Sequence, residues 1–334
     1  MSGFDTATPS RVQELIDPFG AELDQIGFSV AVDGGIVVAG APTDDGRASN
    51  AGAVHVFADL PDSLLCGGVA ATQVGIAGDD TLTGTAGRDV IRGYGGDDTI
   101  SGLGGDDVIC DDDGNDVVLG GPGDDTLFGG DGNDELRGAA GDDILFGEAG
   151  SDRLLPETGN DTAVGGTGSD IVDYLAADGP IHADPALGLV TYVPPGGPWT
   201  HTLVAVEKVD GTRFADTIRG DAKRNVLRGK QGVDQLWGGG GDDDLIGGTG
   251  DGDLYGGDGD DPLKGQAHDD LLEGETGADT IRGGNGNDTL RGGGSDDLLI
   301  GGLLSHRGAF ANVIDGGNGT DVCRWWFDYP TNCP

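Results

Sequence analysis

A nine-residue repeat runs through most of this chain and restricts its fold more than any other feature. Eleven nonapeptides follow one another without insertion from Gly75 to Asp173, among them GYGGDDTIS, GGPGDDTLF and GGDGNDELR. In all eleven, position four is glycine, position six is aspartate and position eight is aliphatic. A repeat that keeps its phase over 99 residues is typical of a stacked solenoid.

Ten more nonapeptides occupy residues 211–300 and are less regular. Asn225 and Gly252 replace the position-six aspartate in two of them. A partial copy, GGNGTDVC, follows at residues 316–323. The position-four glycine is replaced at Phe214, Lys223, His268 and Ser295.

The composition alone would suit a disordered chain. The 334 residues include 69 glycines, and 60 acidic against 18 basic side chains give a formal charge of −42. An acidic linker has such a composition too, but it has no physical reason to keep a nine-residue phase. The charge makes nucleic acid and anionic membranes poor partners and cations natural ones. Because there is no run of eighteen apolar residues, we expect no membrane span.

Each nonapeptide consists of six turn-forming residues followed by a very short strand. Glycine at positions one and four allows positive φ and close approach of neighbouring backbones. The strand contributes one inward aliphatic residue at position eight, and its neighbours point outward. One copy cannot bury that residue, so the copies must stack, two per turn, into a flattened solenoid with two parallel sheets back to back. The sequence therefore predicts an all-β, parallel β-roll in two segments.

The position-six aspartates indicate what stabilises the stack. With two copies per turn, carboxylates on one edge recur every 18 residues, next to carbonyls of the glycine-rich loops. Such an all-oxygen site of about six ligands suits a hard cation such as Ca2+, whereas zinc or copper would require clustered His or Cys. Ion binding would be coupled to folding, because repulsion between its negative charges keeps the ion-free chain unfolded. The predicted metal ligands are Asp80, Asp89, Asp98, Asp107, Asp116, Asp125, Asp134, Asp143, Asp152, Asp161, Asp170, Asp216, Asp234, Asp243, Asp261, Asp270, Asp279, Asp288 and Asp297.

Pairing each copy with the next but one gives the expected number of sites. The first block contains nine pairs with aspartate on both sides. The second contains eight pairs, three of which include Asn225 or Gly252. The fourteen intact pairs would offset 28 of the 42 excess negative charges. We therefore expect the first block to bind calcium more fully than the second.

Nonapeptides such as GGPGDDTLF resemble the haemolysin-type, or RTX, calcium-binding repeat G-G-x-G-x-D-x-U-x. The resemblance covers residues 75–173 and 211–323. It implies a right-handed parallel β-roll that holds Ca2+ between successive loops, with the position-six aspartates and loop carbonyls as ligands. Five residues depart from the pattern, and they put the calcium sites of their turns in doubt: Phe214, Lys223, Asn225, Gly252 and His268.

Residues 174–210 interrupt the repeat and contain alternating β-branched residues, as in GLVTYV and HTLVAV. They resemble the spacer between roll segments of RTX proteins, which rejoins the roll through a phenylalanine, here Phe214. A plain surface hairpin is the alternative. His182 and His201 lie in this segment without a nucleophile that a motif would identify.

Residues 25–57 resemble one FG-GAP repeat of integrin-type β-propellers, with GFSVAV, IVVAGAP and GAVHVF as its strand segments. One blade neither buries both of its faces nor closes a ring. Residues 1–60 are therefore either the remnant of a longer propeller or a cap on the end of the roll. The N-terminus has no basic segment followed by an apolar one, so we see no signal peptide and favour a truncated or mis-started chain.

Four cysteines suggest disulfide bonds in a chain of extracellular character. A version of the RTX family has cysteines at the places of Cys66 and Cys110, which implies a bond that links the first turns. Cys323 and Cys333 flank RWWFDYPTN and would close a short terminal loop, whose aromatic residues we expect to plug the end of the roll. Free buried thiols are the alternative.

No catalytic motif accompanies the repeat, so we expect no enzyme: G-x-S-x-G, H-E-x-x-H and G-x-x-x-x-G-K-[ST] are all missing. The sequence predicts a secreted, extracellular calcium-binding protein whose roll folds on binding Ca2+. A calcium-dependent adhesion or surface-matrix module with a cell-surface or polysaccharide partner is the alternative, and a fragment of a larger RTX enzyme or toxin is a lesser one. The expected domains are an FG-GAP-like repeat (1–60), a first roll segment (66–173), a spacer (174–210), a second roll segment (211–300) and a C-terminal cap with the last partial repeat (301–334).

Overall fold

A computed structural model describes the backbone strands at residues 29–33, 36–40 and 54–58 and the full structure of residues 65–184, 188–192, 198–302 and 312–324. Within these ranges every regular element is a β-strand, and no helix is long and apolar enough to cross a membrane. The chain separates into two compact units, Met1–Ala70 and Ala71–Pro334. The expected aromatic plug at residues 325–327 lies outside the described residues.

The described part of the first unit contains two small antiparallel sheets. Its strands are β1 (Ser29–Asp33), β2 (Ile36–Gly40), β3 (Val54–Ala58), β4 (Leu65–Cys66) and β5 (Val69–Ala70). The first three strands form one sheet in chain order, and β4 pairs with β5. The three-stranded sheet falls on the three segments expected for a propeller-blade-like repeat.

The second unit is built from short strands, which the repeat supplies one per copy. In the first block these strands are β6 (Gln73–Val74), β7 (Thr81–Thr83), β8 (Val90–Gly95), β9 (Thr99–Ser101), β10 (Val108–Asp113), β11 (Val117–Pro122), β12 (Thr126–Asp131), β13 (Glu135–Ala140), β14 (Ile144–Gly150), β15 (Arg153–Thr158), β16 (Thr162–Gly168) and β17 (Ile171–Asp173). The segment between the blocks forms β18 (Ile181–Asp184), β19 (Leu189–Tyr192), β20 (Trp199–Val204) and β21 (Lys208–Asp210). The second block and the residues after it form β22 (Thr217–Arg219), β23 (Val226–Gln231), β24 (Gln235–Gly240), β25 (Asp244–Thr249), β26 (Asp253–Asp258), β27 (Pro262–Ala267), β28 (Leu271–Thr276), β29 (Thr280–Asn285), β30 (Thr289–Gly294), β31 (Leu298–Gly302), β32 (Val313–Asn318) and β33 (Val322–Arg324).

These strands form two sheets, one of fifteen strands and one of thirteen. The larger sheet contains the even-numbered strands from β6 to β32 together with β19, and the smaller contains the remaining odd-numbered strands from β7 to β33. Within each block a residue pairs in parallel with the residue 18 positions later, as Ile109 pairs with Leu127 and Leu127 with Leu145. One turn therefore contains two nonapeptides, which confirms the predicted all-β parallel roll.

The core is formed by the position-eight side chains, which lie above one another in each sheet. Ile109, Leu127 and Leu145 are 0% exposed, and almost all of their counterparts in the other copies are equally buried. Each 18-residue turn adds only two such side chains. Because ordering the backbone of a whole turn is costly in conformational entropy, this narrow core needs a further source of stability.

The loops adopt positive φ at positions two and four rather than at one and four, so this part of the prediction was wrong. At position two, Tyr94 has a φ of 83° and Glu157 a φ of 70°. At position four, His268 and Ser295 each have a φ of 84°, in place of the usual glycine. Among the described residues, no position-one glycine has a positive φ. Glycine at position one must therefore be required for space, not for its backbone angles.

Residues 174–210 extend both sheets. β20 pairs in parallel with β16, β19 lies antiparallel between β20 and β18, and β18 pairs in parallel with β22. In the other sheet, β21 alone connects the blocks, since Val209 pairs with both Val172 and Leu227. The insertion therefore adds three strands to one sheet and one to the other, and the core continues through it.

Replacing Leu254 by alanine should reduce the free energy of unfolding of the calcium-loaded protein by about 2–5 kcal/mol. Leu254 is 0% exposed, and stacked turns on both sides prevent the core from closing around the lost volume. Denaturant unfolding followed by circular dichroism measures the change. Val233→Ala is the control, because that side chain is 60% exposed and its truncation should change the stability by less than about 0.5 kcal/mol. Equal effects of the two substitutions would contradict the assigned core.

Candidate metal sites

The position-six residues form two columns, one along each edge of the roll, because successive copies alternate between the edges. Among the predicted ligands, Asp80 and Asp89 in the first turns are half-buried, and all those from Asp98 onward are buried. The first column contains Asp80, Asp98, Asp116, Asp134, Asp152, Asp170, Asp243, Asp261, Asp279 and Asp297. The second column contains Asp89, Asp107, Asp125, Asp143, Asp161, Asp216, Asp234, Asp270 and Asp288.

From Asp98 and Asp107 onward, one oxygen of the column carboxylate accepts a hydrogen bond from the preceding turn. The backbone N–H of Asp98 donates to Oδ1 of Asp116 across 2.7 Å, and the N–H of Asp116 donates to Oδ1 of Asp134 across 2.9 Å. The same bond recurs in both columns and connects each turn to the next. It also fixes the orientation of each carboxylate.

The other oxygen, Oδ2, is buried and has no hydrogen-bond donor in most copies. This is true of Asp125, Asp134 and Asp261, for example, and of most other members of both columns among the described residues. A buried carboxylate oxygen without a donor destabilises a fold unless positive charge lies against it. The columns therefore contain a repeated set of oxygens that a cation or a proton would stabilise.

Loop carbonyls lie beside these oxygens. A Cβ built on Gly256, at position one, would lie 2.5 Å from Asp261 Oδ2 and 2.7 Å from the carbonyl oxygen of Gly274 in the next turn. The missing side chain is what lets these two oxygens approach each other. Carboxylate and carbonyl oxygens are the ligands that Ca2+ prefers, so the residues fit the ion that the repeat predicts.

Burial raises the pKa values of many column carboxylates, and Asp125 and Asp134 are two examples. The pKa of Asp125 is raised to about 7 by burial, with repulsion from Asp143 and Asp107 as a further cause. Burial and the neighbouring charge of Asp152 similarly raise the pKa of Asp134 to about 7. When no cation is bound, the charged form is therefore less favoured at neutral pH than in an exposed aspartate. A bound divalent ion would reverse this preference.

Glu207 takes the place of a position-six aspartate in the inserted segment. Its Oε2 accepts from the backbone N–H of Asp170 across 2.9 Å, and its carbonyl accepts from the N–H of Val226 across 2.9 Å. An aspartate makes the same two contacts elsewhere in the first column. Glu207 thus carries the first column from one block to the next. The repeat pattern does not predict this role, because the nine-residue phase is interrupted between Asp173 and Gly211.

On the second column the insertion supplies an imidazole instead. The N–H of Thr202 donates to the Asp161 carbonyl across 2.8 Å, as position seven does in other copies, so His201 stands at position six. Its Nε2 lies 3.3 Å from Asp161 Oδ2, and its Nδ1 lies 3.0 Å from Tyr174 Oη. Burial lowers the pKa of His201 to about 4. A neutral imidazole therefore follows the last carboxylate of the first block on this edge.

Two altered copies in the second block lack the carboxylate, as their sequences indicate. Asn225 keeps the loop geometry, because its Oδ1 accepts from the N–H of Asp221 across 2.8 Å. Gly252 leaves a space that is partly filled by Leu254, whose Cδ1 would lie 3.3 Å from a Cβ built on Gly252. These turns therefore offer fewer oxygen ligands than their neighbours.

Two further residues extend the columns beyond residue 300. Asp321 Oδ1 accepts from the N–H of Asp297 across 3.0 Å, and Asn312 Oδ1 accepts from the N–H of Asp288 across 2.7 Å. The partial copy GGNGTDVC puts Asp321 at position six, so the sequence contained that signal although Asp321 was not among the predicted ligands. Asn312 lies at position six of the nine residues that precede Gly316, but it is not an aspartate and was not among the predicted ligands.

Cys66, Cys110 and Cys323 are disulfide-bonded. The alternative of free thiols therefore does not apply to these three residues. Cys333 lies outside the described residues. The pairings Cys66–Cys110 and Cys323–Cys333 stay predictions.

Comparison with known proteins agrees with both resemblances found in the sequence. A family model of the FG-GAP repeat matches residues 9–57. The family model of the RTX calcium-binding nonapeptide repeat matches residues 74–109, 111–145, 119–154, 128–163, 157–173, 210–245, 246–281, 273–303 and 308–324, more than half of the chain.

Among solved structures, the chain is similar to the extracellular lipase LipA from Serratia marcescens, with 15% sequence identity and a TM-score of 0.23. The match covers 62% of this chain and 37% of the lipase chain. Comparison with curated proteins gives no match.

Acidification should order this protein in the absence of calcium. An unperturbed aspartate has a pKa of about 3.9, whereas burial raises the pKa of Asp125 in the folded chain to about 7. Between these values the folded chain binds more protons than the unfolded chain. Its stability is therefore present at low pH and is lost as the pH rises through about 7.

Circular dichroism in EDTA at pH 5.0 and pH 7.5 measures this effect, and we expect more β signal at pH 5.0. Calcium-loaded protein is the control and should not gain β signal on acidification, because protons then compete with the bound ions. A β signal in EDTA that is independent of pH would contradict the raised pKa values.

Replacing Gly238 by alanine should weaken calcium-dependent stability by about 1–3 kcal/mol. A Cβ at position one would lie 2.4 Å from Asp243 Oδ2 and 2.4 Å from the carbonyl oxygen of Gly256. Gly240 in the same copy is the matched control, because its Cβ would meet only the Cα of Ala222, at 3.6 Å. Thermal unfolding with and without calcium measures both variants. If Gly240→Ala were as destabilising as Gly238→Ala, crowding of the site oxygens would not be the cause.

Proposed function

The chain belongs to the RTX calcium-binding nonapeptide-repeat family, and from this premise we propose that it is a secreted protein whose β-roll folds when Ca2+ binds between its stacked loops. One observation carries the proposal. In both columns a buried carboxylate oxygen without a donor recurs at each turn, and at Gly256 it converges with a carbonyl of the following loop. The proposed role is structural and not catalytic.

The proposed ligands are the position-six carboxylates of both columns, with Glu207 and Asp321 added to those predicted from the sequence. Bound Ca2+ would supply the positive charge that these carboxylates lack. The chain's own residues supply the rest: the Oδ1 hydrogen bonds orient the carboxylates, and glycine at position one leaves room for the ligands. Mg2+ should substitute poorly, because it requires a near-octahedral shell and releases its water reluctantly.

Two features support a location outside the cell. Disulfide-bonded cysteines persist in oxidising compartments. A formal charge of −42 keeps the ion-free chain expanded, and extracellular calcium-binding modules commonly have dissociation constants of about 0.1–1 mM. Folding would then begin where calcium becomes available.

An adhesion or surface-matrix role is the second candidate function. The match of residues 9–57 to the FG-GAP repeat and the three-stranded antiparallel sheet of β1, β2 and β3 favour it, since this repeat belongs to integrin-type propellers. In that case the roll would present the N-terminal unit to a partner. Deleting residues 1–60 would then abolish binding to a surface without preventing calcium-induced folding.

Calcium should induce the fold cooperatively at neutral pH. A titration of the full, non-reduced chain at pH 7.5, followed by far-ultraviolet circular dichroism, should show a gain of β signal with Ca2+. We expect no comparable gain with Mg2+ at the same concentrations. EDTA should reverse the transition.

Sodium chloride at matched ionic strength is the control for general charge screening. A gain of β signal with sodium chloride equal to that with Ca2+ would mean that screening suffices and that no specific site is needed. A spectrum that stays disordered at millimolar Ca2+ would rule out the proposed function.

A further inference from the structure

One copy carries a carboxylate at the position where the loop requires glycine. In DDDGNDVVL, residues 111–119, Asp111 occupies position one. Its side chain is 0% exposed, and neither of its carboxylate oxygens has a hydrogen-bond donor. A buried carboxylate without any donor indicates that a cation belongs beside it.

Asp111 reaches into the site between the loops at residues 93–98 and 111–116. A Cβ built on Gly93 would lie 2.2 Å from Asp111 Oδ1, 2.5 Å from Asp98 Oδ2 and 3.0 Å from the Asp111 carbonyl oxygen. In the preceding turn of the same column, the three atoms nearest to a Cβ on Gly75 include two oxygens, Asp80 Oδ2 at 2.5 Å and the Gly93 carbonyl oxygen at 2.6 Å. Asp111 thus adds a side-chain oxygen to the usual carboxylate and carbonyl.

The carboxylate of the next turn completes the group. One oxygen each from Asp98, Asp111 and Asp116 lie within 4.8 Å of one another, and all three residues are buried. Among the residues that the structure describes, this is the single group of three or more His, Cys, Asp or Glu side chains that could hold one metal ion in this way. The ordinary copies bring together two carboxylates from successive turns.

We propose that Asp98, Asp111 and Asp116 form a three-carboxylate cation site that fills before the two-carboxylate sites of the columns and binds its ion more tightly. This inference rests on the proposed function, since it assumes that the columns bind cations. Calcium affinity depends on the number of charged ligands, and the third carboxylate adds attraction at short range in a buried setting. The site has a charge of −3, so a trivalent lanthanide ion neutralises it and should select it over sites of charge −2.

Europium(III) titration of the full chain tests this site directly. The energy of the europium excitation line depends on how many carboxylates bind the ion, so sites of different charge give different lines. At one equivalent, the wild-type protein should show one line, and a second line should grow in as further sites fill. Asp111→Asn removes the charge and keeps the size, and Asp111→Gly restores the repeat consensus.

Both variants should lose the first line and bind the first europium ion about tenfold more weakly or worse. Asp113→Asn is the matched control, because it removes the same charge from an exposed residue of the same copy, and it should keep the line. Circular dichroism with saturating Ca2+ establishes that each variant folds. Since Asp111→Gly has the residue found at position one in most copies, a general failure to fold is not expected to hide the result.

The outcomes separate this inference from the proposed function. Asp111 variants that keep the wild-type first line and affinity would overturn the three-carboxylate site while leaving the columns as calcium sites. A wild-type chain that binds neither europium nor Ca2+ would overturn both. Loss of the first line in Asp113→Asn to the same extent would show that overall charge, and not Asp111, determines the first step.

Discussion

The buried carboxylates that recur every 18 residues along each edge are the constraint on which the rest of the structure depends. The same aspartate stabilises and destabilises the stack. Its Oδ1 and its carbonyl form hydrogen bonds to neighbouring turns, as Asp98 and Asp116 illustrate. Its Oδ2 is buried without a donor. The hydrophobic core cannot compensate for this, because each turn buries only two aliphatic side chains. If a cation binds these oxygens, as we propose, it would neutralise their charge and leave the cross-turn hydrogen bonds in place, and ion binding would then be coupled to folding.

The insertion between the blocks shows which interactions must continue from turn to turn. The core continues through Val209, and the first column continues through Glu207. The second column does not, because His201 places a neutral imidazole after Asp161. In a solenoid each turn contacts only its neighbours, so coupling passes from turn to turn. We therefore expect the two blocks to be coupled through the core and the first column, with little electrostatic coupling along the second.

The period of the repeat was enough to predict the fold, because it fixes two copies per turn, an 18-residue register and an inward position eight. It also identified the column residues, which the structure brings together as expected, although their role as ligands is still a proposal. The nine-residue period did not identify residues that join a column where the repeat is interrupted. Glu207 reaches the column from a shortened loop, and Asn312 follows an interruption. The positive φ expected at position one was not found. Glycine is required there because an aspartate Oδ2 and a carbonyl oxygen of the next turn lie too close to leave room for a Cβ, and the sequence of a single copy does not show this contact between turns.

That contact explains where glycine at position one can be lost. In the twenty-one full copies it is replaced only twice, by Asp111 and by Pro156. Both replacements lie in turns whose proposed ligands differ from the usual pair of carboxylates. Asp111 contributes a third carboxylate to Asp98 and Asp116, and the copy of Pro156 contains Asp161, which faces His201. A Cβ at position one would crowd the carboxylate and carbonyl oxygens that we propose as ligands of one ion, and the two exceptions lie where the proposed ligands differ. A side chain at position one therefore marks a turn with an altered set of neighbouring groups. Glycine at position one does not by itself mark a standard site, because Gly220 and Gly247 begin the copies that contain Asn225 and Gly252.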